Sequence, residues 1–185
     1  MVSQSDAQSV LMNASSILAA NMCTIDSYQI NGGLTAYPLY EILSGKIKIK
    51  EGKSGGDASY SGKKNTITVS SKLNLSDPGD QALFVHECVH AAFDIGQTTV
   101  KAMLEEAIAY VAQCIYMLQT TTGPMTFPQG QKIFDAAFVI ARAVNSQSKN
   151  VFTLGDQEMI DLIGALKSNP VYKSRANATN KYDGV

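Results

Sequence analysis

The chain has 185 residues, of which 45% are hydrophobic and 17% charged, which sets one compact domain able to bury a core without disulfide staples. Fifteen basic side chains against sixteen acidic ones leave a net charge of -1, which excludes a nucleic-acid binder working by overall charge and an acidic disordered tail. The three cysteines (Cys23, Cys88, Cys114) are odd in number, far apart and without CxxC spacing, so a reduced protein is expected.

No Lys or Arg precedes Lys46, so neither a secretory n-region nor an arginine-rich transit peptide is recognisable. The most apolar early stretch, 10–22, is broken by Asn13, Ser15, Ser16 and Asn21 and cannot span a membrane. The expectation is a soluble product, cytoplasmic as synthesised, with no membrane partner. A signal-independent export route would leave no mark in the sequence.

In chain order, Val10, Ile17, Leu18 and Met22 give residues 6–26 a weak helical period. Asn31-Gly32-Gly33 breaks it. Residues 46–50 alternate Lys and Ile, as a half-solvated strand does, and Thr66-Ile67-Thr68-Val69 alternates again. A Gly/Ser-rich turn at 52–56 joins them into a small antiparallel sheet. Ser76-Asp77-Pro78 predicts a helix start, with an end near Gly96. A long apolar helix follows over 99–119, then a loop over 120–130 marked by Gly123-Pro124 and Pro128. Residues 131–146 are amphipathic. Thr153-Leu154-Gly155-Asp156 resembles a capping box opening a last helix that Asn169-Pro170 closes. The tail from 172 to 185 is polar and is expected to be loosely held.

One motif dominates: His86-Glu87-Cys88-Val89-His90, or HExxH. On a helix, positions i and i+4 lie about 40° apart, so both imidazoles leave one face and can share a metal ion. Glu87 stands beside such an ion rather than on it, placed to take a proton from water. The chain has only these two histidines, so a third protein ligand must be another residue type. Asp94, Glu105 and Glu106 are the carboxylates downstream. Phe93 and Gly96 depart from the HExxHxxGxxH extension.

The run Glu105-Glu106-Ala107-Ile108-Ala109-Tyr110, fifteen residues beyond His90, resembles the second zinc-binding helix of gluzincin metallopeptidases. In that family a ligand glutamate is followed by x-x-Ala or x-x-Ser. The resemblance covers about 66–119 and implies a minimal zincin domain. The implied fold class is α+β, mainly helical, with a short antiparallel sheet before the HExxH helix. A single domain over 1–185 would then comprise an N-terminal helix (1–33), a small sheet (34–75), a zinc-binding helix pair (76–119), C-terminal helices (120–170) and the polar tail (171–185). The resemblance implies zinc held by His86, His90 and Glu106. Several gluzincins place an Asp four residues after the ligand glutamate to orient a histidine; Tyr110 stands there, leaving Asp94 or the Tyr110 phenol for that task.

The implied chemistry is hydrolysis of a peptide or amide bond, with Glu87 as general base for a zinc-activated water and as proton donor to the leaving amine. Tyr110, Tyr60 and Tyr172 are candidates to hold the oxyanion, Tyr110 foremost. An edge strand within 60–69 would align the peptide or protein substrate. Two other readings stay open: a non-catalytic zinc-containing binding or regulatory module, and a secreted effector or toxin-type metallopeptidase. An inhibitory partner is neither indicated nor excluded. Elsewhere the residues read as structural. Seven basic residues between Lys46 and Lys72 form a solvated face without the aromatics of a nucleic-acid site. Cys88 lies about 160° from either histidine around the helix and, like Cys114, is core. Gly52-Lys53-Ser54-Gly55-Gly56 lacks the order of a phosphate loop.

Overall fold

A computed structural model describes residues 2–53, 57–122 and 130–185. The expected α+β class holds: helices dominate, with short strands grouped in small sheets. Helix α1 (Gln4–Ala20) opens on a capping box in which the Ser3 hydroxyl accepts the Asp6 N–H and the Asp6 carboxylate accepts the Ser3 N–H. Strands β1 (Cys23–Ile25) and β2 (Tyr28–Ile30) follow as a hairpin, so the helix expected over 6–26 stops at Ala20. Helix α2 (Gly33–Leu43) is a correction to the sheet expected over 34–75: it carries Pro38 in its interior and buries Thr35, Pro38 and Ile42.

The second sheet is built from β3 (Lys48–Glu51), β4 (Ala58–Ser61) and β5 (Thr66–Val69), in the order β3-β5-β4. It is mixed. Strand β4 pairs antiparallel with β5, Tyr60 opposite Ile67, whereas β3 runs parallel to β5, Ile49 opposite Ile67. The two strands predicted as an antiparallel pair are thus parallel, because β4 intervenes in sequence and reverses the chain between them. Residues 54–56 of the expected Gly/Ser turn, and 123–129 of the expected loop, lie outside the described residues.

Helix α3 (Pro78–Ile95) matches the predicted span. The Asp77 side chain caps the N–H groups of Gly79 and Asp80, Pro78 opens the first turn, and Gly96 follows the last residue. A short strand β6 (Thr99–Lys101) leads into α4 (Ala102–Thr120), which is buried from Ala102 to Met117 with Tyr110 only partly covered. Such a helix must be central. Helix α5 (Gln131–Asn145) buries Ile133, Ala137, Phe138, Ile140, Ala141 and Val144 on one face. Strand β7 (Val151–Phe152) pairs parallel with β1, and α6 (Gln157–Ser168) packs on α5 and α4. The capping box expected there is absent: the Asp156 carboxylate accepts the Thr153 N–H and does not cap the α6 amides.

Residues 172–185 are not loosely held. After a turn at Lys173–Arg175, strand β8 (Thr179–Lys181) pairs antiparallel with β6, Val100 opposite Asn180. The Ala178 carbonyl accepts the Ala102 N–H, one of the amides that the start of α4 leaves without an intrahelical partner. Among the described residues no helix is long and apolar enough to cross a membrane.

Candidate metal centre

The centre lies where α3 meets the first half of α4. His90 contacts Glu105, while His86, one turn earlier on α3, contacts Gln113, two turns later on α4, so the helices run antiparallel. The small residues Ala107, Ala109 and Ala112 are fully buried along α4 and allow close approach. His86 and His90 then project toward Glu106. Their Nε2 atoms stand 3.2 Å apart, and Glu106 Oε2 lies 3.5 Å from His86 Nε2 and 3.7 Å from His90 Nε2. These three ligand atoms all lie within 4.8 Å of one another, and the group could hold a metal ion.

Their protonation fits that role. His86 Nδ1 donates to Gln113 Oε1 at 3.1 Å, and His90 Nδ1 donates to Glu105 Oε1 at 2.5 Å. With each Nδ1 serving as donor, a neutral ring at either position turns its Nε2 lone pair inward. Two imidazole lone pairs and a carboxylate oxygen at these distances repel unless a cation or proton sits among them. The same field acts on the free groups. Burial opposes charge on His90, but Glu106, Glu105 and Glu87 outweigh it and raise its pKa to about 9. Burial likewise disfavours the Glu106 carboxylate, yet His90, His86 and Arg175 bring it down to about 2.

Glu105 is not a member of the triad. It is fully buried and spends its two oxygens on three donors: Oε1 accepts from His90 and from the Tyr182 hydroxyl at 2.6 Å, and Oε2 accepts from Asn180 Nδ2 at 2.7 Å. Burial pushes its carboxyl up, but the bonds from His90, Asn180 and Tyr182 hold it low. The second oxygen of Glu106 accepts from Arg175 Nη1 at 3.1 Å.

Glu87 is buried beside the triad, close enough for its charge to raise the pKa of His90, Tyr110 and Tyr172. Its Oε2 accepts the Tyr60 N–H at 2.7 Å from the outer side of β4, the edge strand of its sheet. The Tyr110 ring stands edge-on to His86 at 4.7 Å between centroids, and its hydroxyl pairs with that of Tyr172 at 2.9 Å. Tyr110 therefore does not orient a histidine through its phenol; burial, with Glu106 and Glu87, lifts its pKa to about 12. Nor does Asp94 reach the histidines, since its carboxylate accepts the Tyr60 hydroxyl at 2.6 Å and the Gly184 N–H at 3.2 Å.

Sequence reasoning missed Gln113, Arg175, Asn180 and Tyr182. Gln113 left a signal, a lone polar residue seven positions beyond Glu106 on a helix otherwise apolar there. The other three left none, because they reach the site from some seventy residues away in the chain. Cys88 and Cys114 are fully buried, as expected, and take no part. A half-open cavity of about 590 Å³ between α6, the start of α4 and residues 176–179 is lined by none of the triad.

The chain matches no protein-family model, no curated protein and no solved structure.

Proposed function

We propose that the chain is a zinc-dependent metallopeptidase, hydrolysing peptide or amide bonds with Glu87 as general base. The observation that carries this reading is the convergence of His86, His90 and Glu106 from two antiparallel helices, with both Nδ1 atoms already committed to acceptors. Two imidazoles and one carboxylate suit zinc, and leave room for a fourth, exchangeable position. When bound, zinc supplies Lewis-acid chemistry, acidifying water and polarising the scissile carbonyl.

The remaining work falls to the chain's own groups. Glu87 accepts the proton of the attacking water and returns it to the leaving amine. The Tyr60 N–H holds one Glu87 oxygen, which fixes the direction from which the other works. Tyr110 is the donor we assign to the developing oxyanion. One proton of the Tyr110–Tyr172 pair is used between the two hydroxyls, and the second is free to point elsewhere. The outer edge of β4 offers an extended substrate a strand to pair with.

Elemental analysis of the purified chain should give about one zinc per molecule, and Glu87→Gln should keep it. That variant should lose peptide hydrolysis by about 10²–10⁴-fold, measured on a fluorogenic peptide mixture. A chain that refuses added zinc, or a Glu87→Gln protein that cleaves at the wild-type rate, overturns the reading. Tight zinc with no hydrolysis in the wild type favours a binding module instead.

A further inference from the structure

We infer that residues 172–185 form part of the metal centre, with Asn180 and Tyr182 acting as positioning residues that hold Glu105 so that it fixes His90. This rests on the metal reading above and extends it to a segment that supplies no ligand.

Glu105 is the only residue on His90 Nδ1 among the described residues, so the direction of the His90 ring depends on where that carboxylate stands. Glu105 has no room to choose its own place by solvation, because it is fully buried. Its two remaining bonds come from β8 and the residue that follows it: Asn180 to Oε2 and Tyr182 to Oε1. Strand β8 is in turn registered against β6, the three residues that lead directly into α4, and the Ala178 carbonyl closes on the Ala102 N–H. The donors are thus locked to the same helix end that carries Glu105. Gly62 supports the arrangement from the other side: a Cβ there would lie 3.2 Å from the Tyr182 ring and 2.9 Å from Asp94 Oδ2. Removing Asn180 leaves the buried Oε2 without a partner, and removing the Tyr182 hydroxyl leaves Oε1 held by His90 alone; in either case the carboxylate is free to turn or must draw in water. His90 then loses a fixed acceptor. Partners of a metal-bound histidine of this kind typically tune metal affinity by 10–100-fold.

The test uses the full chain and zinc alone. Zinc affinity is measured by competition with a chromophoric chelator for wild type, Tyr182→Phe, Asn180→Ala and the β8 control Thr179→Ala. Tyr182→Phe deletes one oxygen and keeps the ring, so it preserves packing. The expected result is about 10-fold weaker zinc in each of the first two variants, with Thr179→Ala unchanged. Cobalt(II) substituted for zinc should show an altered visible spectrum in the same two variants, a signature that loss of packing alone does not produce. Wild-type affinity and spectrum in both variants, or an equal loss in Thr179→Ala, overturn the inference while leaving the metal reading intact. A wild-type chain that takes up no zinc overturns the metal reading itself, and the inference with it.

Discussion

Glu105 and Glu106 are adjacent in sequence and point about 100° apart on α4, so only one can face the histidine pair. Glu106 does, and Glu105 serves the far nitrogen of His90. Glu106→Ala should therefore abolish tight zinc binding, whereas Glu105→Ala should weaken it by 10–100-fold and leave the ligands in place. Chelator competition on the two proteins separates them; a Glu105→Ala chain that loses zinc altogether would mean that α4 is rotated by one residue. Gln113→Leu, which removes the acceptor on His86 Nδ1, belongs with Glu105→Ala in size of effect. The histidines and Glu87 were legible because a helix converts a spacing of four into one face. The selection of Glu106 came from its resemblance to a known helix. The sequence offers Asp94 or Tyr110 to orient a histidine, whereas Glu105 and Gln113 stand on the two Nδ1 atoms, because i+4 spacing says which residues are near a face but not which acceptor lies across from it.

At the level of elements, α3 was legible from end to end: Asp77 and Pro78 open it and Gly96 closes it by local rules. Its cap also holds the register of the metal face, since every turn from Pro78 to His90 builds on those first amides. Asp77→Ala should cost about 1 kcal/mol in unfolding free energy by chemical denaturation, with zinc stoichiometry unchanged. Helix α2 escaped because Pro38, sixth of its eleven residues, is a breaker by local rules, and its N-cap Gly32 makes no side-chain bond. Burial of Thr35, Pro38 and Ile42 against the core overrides that preference. The parallel β1–β7 and antiparallel β6–β8 pairings were invisible for another reason. Strands of two or three residues carry too little period to read, and their partners lie some eighty to one hundred and thirty residues away. At Gly62, Ala should force Asp94 and Tyr182 apart and cost about 1–3 kcal/mol, with a matching loss of thermal stability.

Across the whole molecule, the three thiols sit in the core and their chemistry follows from that. Burial pushes Cys23 up to about 12 and raises Cys88 and Cys114 as well. A thiol-reactive disulfide reagent should label none of them in the native protein and all three in denaturant; rapid native labelling would mean that the core opens readily. Zinc, binding the folded form alone, should raise stability by about 2.7 kcal/mol at a free concentration one hundred times its dissociation constant, read as a shift in melting temperature. The residues of the centre are spread from Tyr60 to Tyr182. Translation delivers them in that order. At roughly 5–20 residues per second, His86, His90 and Glu106 leave the ribosome several seconds before Tyr182 does. During that interval a nascent chain carries His86, His90 and Glu106 but neither Asn180 nor Tyr182, so a cation taken up then should be held more weakly than one taken up after the C-terminal segment has been made.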